Sequence, residues 1–464
     1  MRTTTGRPLP ALFLTVLLAA GAFPLAAQSS PGAATGALVG AFGQAFGPPP
    51  DYPDGELDPA TRADIQSIIT SISERQLDTA ALGRLKDSGD ARILWFVADL
   101  MRFIGQREME TLNVIFEELT GVSPRRGDYN AIPDHLMAWD LPAFPGYRRL
   151  KGDLMTLIDS RWEPFFADEN SAVDWRLVAW GGVLMDDRGD AGPGQHCFRC
   201  IPALDNPPVT DAAGGSWYPD DALVFGLVVN GAARAYPKNI MEVHEMVNDA
   251  LGGRTFGMPY CTLCGSAQAY YTDDIKGFYP VLRTSGLLSR SNKFMYDLVT
   301  TSAVDTFTGR ALSGPLHEAG VTLNQLTVVT STWGAWKEAH PGTTIVAEDG
   351  GVPGKRYPMD PLRGRDDNGP IFPVGDVDTR LPVQERVLGV LGAGGTAVAF
   401  PVANAVLALQ AGANVELAGV RVAMDGSGIR AFIDGQEAPS HEAFWFAWSQ
   451  FRPATLLWQR EAAG

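Results

Sequence analysis

From Asp58 to about Thr120 the apolar positions recur at helical spacing: Ile65, Ile68, Ile69 and Ile72, then Ile93, Phe96, Val97 and Leu100. Residues three and four apart share one helix face, so each set predicts a helix with one buried side. Asp58 or Thr61, and Ser88 or Asp90, stand where side-chain oxygens can cap the first turns. The stretch reads as a small helical domain of stacked helix pairs. Tyr147 to about Asp187 adds a further helix (Leu150, Leu154, Leu157, Ile158), succeeded by an aromatic tail in which Trp175 and Trp180 are expected to dock it on the neighbouring C-terminal region.

From about Ile201 the pattern changes to short strands: Leu223 to Val229, Ala232 to Tyr236, Arg254 to Tyr260 and Ala267 to Tyr271. Asn230-Gly231, between the first two, is a strong hairpin signal. One helix is predicted among them, Asn239 to about Leu251, with Ile240, Val243, Val247 and Ala250 as its apolar stripe and Gly252-Gly253 as its stop. The run Val224 to Pro237 is matched downstream by Val387 to Pro401, and Trp333, Trp336, Pro341 and Thr343 by Trp445, Trp448, Pro453 and Thr455. Two matches in the same order indicate duplication. The expected fold class is therefore α+β: a helical N-terminal domain (56–190), then a mainly β region of two related lobes (201–346 and 380–460) joined by a loop (347–379).

The N-terminus supplies a basic start (Arg2, Arg7), an apolar run from Leu9 to Leu25 and a small-residue exit at Leu25-Ala26-Ala27. This is the layout of a secretory signal over residues 1–27. The Gly/Ala/Pro-rich residues beyond it, to about 55, read as a flexible linker. A periplasmic or extracellular location is expected, with no membrane insertion once the signal is removed. The 464 residues, 45% hydrophobic, are too many for one core. A net charge of -16 repels phosphate backbones, so nucleic acid is excluded as a partner. The helical part is left as the candidate surface for a protein partner.

The chemistry is concentrated in four cysteines, arranged as Cys197-Phe-Arg-Cys200 and Cys261-Thr-Leu-Cys264. The second pair lies between two strands with Gly265 behind it, the layout of a metal knuckle whose thiolates suit copper, zinc or iron. Two sulfurs are half of a tetrahedral site. Of the six histidines (His135, His196, His244, His317, His340, His441), His244 precedes the knuckle by one helix and one strand, and Met295 offers a soft fourth ligand. A site of His244, Cys261, Cys264 and Met295 would suit copper. Alternatively Cys197 and Cys200 complete an all-cysteine structural zinc site, or form a stapling disulfide. A redox thiol pair is the third reading of Cys261 and Cys264.

His244-Glu245-Met-Val-Asn248 lacks the second histidine of a zinc-protease helix, so a metalloprotease is excluded. Asn248, four residues on, is expected to orient the His244 ring, and Glu245 and Asp249 to be solvated helix charges. Arg234, Tyr236, Glu245, Asn248, Arg283, Ser285, Asn292 and Tyr296 are candidates to line a pocket beside the metal. Trp333 and Trp336, having counterparts in the second lobe, are assigned to packing. Serine-hydrolase elbow, phosphate loop, dinucleotide fingerprint and haem attachment motif are all missing.

Ile201-Pro-Ala-Leu-Asp-Asn-Pro, Asn230-Gly-Ala-Ala-Arg-Ala-Tyr-Pro, Tyr260-Cys-Thr-Leu-Cys-Gly-Ser-Ala, Ser291-Asn-Lys-Phe-Met-Tyr-Asp and Ser331-Thr-Trp-Gly-Ala-Trp give residues 201–458 a specific resemblance. They resemble the bacterial domain-of-unknown-function family numbered 3179. That resemblance implies a secreted, largely β protein and carries no activity. Cys197 and Cys200 stand where the family has a Pro/Gly-rich lead-in, and the helical part lies outside it. The function expected from the residues is an exported metal-binding protein, with copper handling or a metal-dependent oxidoreductase step as its purpose. The rivals are a thiol-disulfide redox protein and a non-enzymatic scaffold with structural zinc.

Overall fold

Asp58 accepts a hydrogen bond from the Thr61 amide at 3.0 Å, and Pro59 occupies the first helical position of Pro59–Ser73. Asp78 caps Thr79–Arg84 in the same way, and Asp90 caps the single turn Ala91–Ile93 that leads into Leu94–Leu100. The caps are thus the aspartates rather than Thr61 and Ser88. Gln106–Thr120, Ala131–Ala138, Tyr147–Met155 and Glu163–Ala167 complete the helical part. In this computed structural model residues 38–189, 197–273 and 275–460 are described. The signal segment read from residues 1–27 and His196 lie outside them. Among the described residues no helix is long and apolar enough to cross a membrane.

The helical part shares its interior with strands from later in the chain. Ile65, Phe96 and Trp162 belong to the same buried cluster as Leu287, Phe294, Tyr296 and Ala303. The indole of Trp162 donates to Ser285 O at 2.7 Å, and strand Val178–Trp180 pairs antiparallel with Leu282–Ser289. Trp175 is buried in that interior, as its docking role requires. Residues 38–55, read as linker, are also tied down: Leu38–Val39 pairs with Ala45–Phe46, Phe46 is buried, and the Trp139 indole donates to Gly47 O at 2.7 Å.

Among the described residues the β region contains five sheets, and the chain as a whole is α+β. One has the order Val329–Thr332, Leu223–Val229, Ala232–Pro237, Thr344–Val346, Val209–Asp211. Another runs Ser440–Phe444, Arg386–Leu391, Ala397–Pro401, Leu456–Leu457. In both, a hairpin has an antiparallel strand on one side and a parallel strand on the other. Both also seat a tryptophan ring on a hairpin glycine, Trp336 on Gly226 and Trp448 on Gly389. Each indole donates to a threonine hydroxyl, Thr343 at 3.0 Å and Thr455 at 2.9 Å.

The helix expected from Asn239 to Leu251 is a helix only over Lys238–His244; Met246–Leu251 is a strand paired with Arg254–Cys261. Glu245 takes a positive φ of 51° and turns the chain between them. Gly252 and Gly253, with φ of 58° and 78°, form the hairpin turn instead of stopping a helix. Val247 and Leu251 fit an apolar helix stripe and an apolar strand face equally well, and pairing with the next strand decides between them.

Candidate functional site

Cys261 ends the strand Arg254–Cys261, a single tight turn spans Thr262–Cys264, and Gly265 at φ 58° passes the chain to the short strand Ser266–Ala267. The positive φ expected of Gly265 is present. From the other side comes the hairpin Leu282–Ser289/Asn292–Asp297, whose turn residues Arg290 and Ser291 both have positive φ, 50° and 62°. That turn presents the Ser291 carbonyl to both thiols, 3.7 Å from Cys261 Sγ and 3.4 Å from Cys264 Sγ. Both cysteines are free and buried.

Lys293, two residues beyond the turn, forms an ion pair with Glu245, and Thr262 Oγ1 donates to the other Glu245 oxygen at 3.2 Å. Cys261, Thr262, Glu245 and Lys293 open on a cavity of about 160 Å³, walled on its apolar side by Val183, Ile201 and Leu287. Burial pushes the Cys261 thiol up, but the hydrogen bond from Cys264, the Lys293 charge and the Lys293 backbone amide outweigh it, and the group lies below its ordinary value. Burial and the hydrogen bond to Cys261 push the Cys264 thiol well above its own. The two sulfurs are therefore unequal, one poised to ionise and one poised to keep its proton.

His244 does not join them. The chain turns away immediately after it, and its ring is spent between the Pro202 carbonyl on Nδ1 and the Tyr357 hydroxyl on Nε2, both at 2.7 Å. A carbonyl only accepts, so Nδ1 holds the proton and Nε2 accepts from Tyr357. Burial pushes the ring down to about 4, which keeps it neutral. Met295 is packed among Met246, Tyr270, Leu282 and Val304, a core side chain and not a ligand. The expected set of His244, Cys261, Cys264 and Met295 is thus not assembled.

Cys197 and Cys200 form a disulfide, one of the outcomes expected of them, and so supply no thiolates to an all-cysteine site. Among the described residues the group whose ligand atoms lie within 4.8 Å of one another is Asp186, Cys197 and Cys200, a set that could hold a metal ion if the disulfide were open. Asp186 already accepts from Arg188 Nε at 2.6 Å, Arg188 Nη2 at 2.7 Å and the Ala203 amide at 2.8 Å.

Of the pocket candidates, Glu245 and Ser285 line the cavity beside Cys261. Arg234 and Tyr236 instead converge on Asp249, each at 2.6 Å, so Asp249 is a buried strand acceptor and not a solvated helix charge. Asn248 bridges Asp205 and the Leu282 backbone, too far along the strand to orient His244. Arg283, fully buried, clamps Asp205 through two bonds of 2.9 and 2.7 Å. Asn292 is buried in the hairpin, and Tyr296 donates to Asp186 O at 2.6 Å. The sequence reading missed Lys293 and Thr262. The signal for Lys293 was present: a lysine beside the apolar run Phe294-Met295-Tyr296 in a buried strand needs a partner, and it shares the strand face of Met295.

Residues 199–429 match the family model described as Protein of unknown function (DUF3179). This segment is a DUF3179 domain. Cys200, Cys261, Cys264, Lys293 and Glu245 lie inside the DUF3179 domain, Cys197 just ahead of it. The match ends within the strand Gly428–Ile433, short of the Trp458 to which the resemblance was read. Among curated proteins and solved structures nothing matches the chain.

Proposed function

We propose that the chain is an exported thiol-disulfide redox protein in which Cys261 is the attacking thiolate and Cys264 the resolving thiol. The observation that carries this is a pair of adjacent free thiols, of which Cys261 lines the cavity beside Lys293. Thiolate is the reactive form, so Cys261 attacks one sulfur of a substrate disulfide and the other leaves as thiolate. Cys264 then gives up its proton, attacks Cys261 and releases the second substrate sulfur. The substrate gains the two protons and two electrons that the pair loses.

The test is to treat the folded chain with a small aromatic disulfide, dithiodipyridine, and map the products by mass. A Cys261–Cys264 disulfide with two equivalents of released thiopyridone is expected. In Cys264→Ser the reaction should stop at a Cys261 mixed disulfide with one equivalent. Release of nothing by folded wild-type protein would end the redox reading.

Metal binding is the second reading, supported by the Asp186, Cys197 and Cys200 group. It requires reduction of that disulfide first, because a disulfide sulfur is not a thiolate donor.

A further inference from the structure

Three residues of the loop 347–379, Leu362, Arg365 and Phe372, line the cavity that Cys261 also lines. The loop is pinned on both sides of them. Ahead, the Asn239 side chain donates to the Tyr357 and Pro358 carbonyls at 3.4 and 3.3 Å, and the Tyr357 hydroxyl donates to His244. Behind, Asp134 Oδ1 accepts from the Val374 and Gly375 amides at 2.8 and 2.9 Å. The Arg365 amide donates to Leu362 O at 3.2 Å, so one turn brings both residues to the cavity.

The Arg365 guanidinium has no ion pair or hydrogen bond to any described residue, whereas Arg188 and Arg283 are spent on Asp186 and Asp205. Within the cavity Lys293 and Glu245 neutralise each other. The acids beside Arg365 in sequence, Asp366 and Asp367, are not among the lining residues. A chain of net charge -16 thus keeps one uncompensated positive charge at the cavity of its thiol pair.

We infer that Arg365 is a specificity residue for the exchange proposed above, and that the substrate is a small disulfide bearing a carboxylate. This rests on the redox reading of Cys261 and Cys264. A cavity of about 160 Å³ is close to the volume that holds a benzene-sized molecule of about six non-hydrogen atoms. That is room for a sulfur, a two-carbon arm and a carboxylate. The sulfur end meets Cys261, the arm lies along Val183, Ile201 and Leu287, and the carboxylate meets Arg365, whose planar fork matches it with two bonds.

The Cys261 thiolate attacks the seated sulfur, and the other half of the substrate leaves as thiolate. Cys264 loses its proton, attacks Cys261 and releases the seated half. The substrate disulfide becomes two carboxylate thiols, which take up the two protons the pair loses, and the protein gains one disulfide.

The test uses the full chain and two disulfides with the same two-carbon arm, the anionic dithiodipropionate and the neutral dithiodiethanol, with oxidation of the Cys261–Cys264 pair followed by mass. The ratio of the anionic to the neutral rate should fall by about tenfold in Arg365→Gln and be partly recovered in Arg365→Lys. Butyrate, which has the carboxylate but no sulfur, should slow iodoacetamide alkylation of Cys261 in wild type and not in Arg365→Gln. An unchanged ratio in Arg365→Gln, with the wild-type pair oxidised by both reagents, would overturn the role of Arg365 and leave the redox reading standing. Failure of both disulfides to oxidise the wild-type pair, while butyrate still protects Cys261, would sink the redox reading and this inference with it.

Discussion

The Lys293 ammonium is paired with the Glu245 carboxylate at the wall of the cavity on which Cys261 opens, the two side chains being 5% and 15% exposed. Their charges act on the sulfur in opposite directions. Lys293 lowers the Cys261 thiol and Glu245 raises it.

Lys293→Met should therefore raise the Cys261 pKa and slow its alkylation at neutral pH, and Glu245→Gln should lower the pKa and speed it. The check is the pH profile of iodoacetamide alkylation, read at Cys261 by mass. Movement of both variants in one direction would mean that the substitutions act through packing and not through charge.

His244 carries a pH signature that is separable from the Cys261–Cys264 pair. Its ring is held near 4 against an ordinary 6.5, so the unfolded chain binds the proton first as the solution is acidified. The stability this depressed base contributes is whole above about 6.5 and is lost as pH falls toward 4, up to about 3 kcal/mol. Asp134 and Glu442, both raised to about 7, work in the opposite sense over part of that window, and His441, pushed to about 3, in the same sense. The measurement is consequently a difference: urea unfolding of wild type and His244→Asn at several pH values, with the gap between them narrowing on acidification.

Metal content should not depend on His244. Both ring nitrogens are engaged, and its ligand atoms join no group of three among the described residues. Elemental analysis of unreduced wild type and His244→Ala is expected to give the same metal content. Loss of bound copper or zinc in the variant would restore the histidine to a metal site.

Arg283 and Asp205 form a two-bond ion pair whose arginine is wholly buried. Removing one partner of such a pair leaves a charge without compensation, at about 3–5 kcal/mol. Arg283→Leu should destabilise by that order in chemical denaturation, whereas Asp205→Leu/Arg283→Leu should recover part of the loss.

Gly226 and Gly389 hold the rings of Trp336 and Trp448, where an added Cβ would fall 2.4 and 2.0 Å from ring carbon. Alanine at either position should cost about 1–3 kcal/mol through overpacking. Equal costs in the two would show that the sheets rely on this contact to the same degree.

Much of this architecture was legible in the chain. Isoleucines at helical spacing, the Asp58 and Asp90 caps and Asn230-Gly231 act locally, and all three lie where the pattern puts them. The tryptophans singled out in the sequence each pack on a glycine of the hairpin strands, Trp336 on Gly226 and Trp448 on Gly389. The site was harder to read. His244 was placed by its distance along the chain from Cys261, but one positive φ at Glu245 turns a helix into a strand and sends the ring to Tyr357 instead. Lys293 stands out locally as a lysine in a buried strand, but its partner Glu245 is 48 positions away, and no local pattern says which residue that partner is.

The interior shared by Ile65, Phe96 and Trp162 with Leu287, Phe294 and Tyr296 bears on what this protein can be divided into. A cut at residue 199 would peel away the strand Val178–Trp180 and uncover an apolar face, and a cut at 429 would leave two of the six residues of the strand Gly428–Ile433. The segment that defines the family is shorter at both ends than the segment that folds here. Its helical leader packs into the same interior, so transplanting the domain by its sequence borders would carry Cys261 and Cys264 without the helices that support the neighbouring hairpin Leu282–Ser289/Asn292–Asp297.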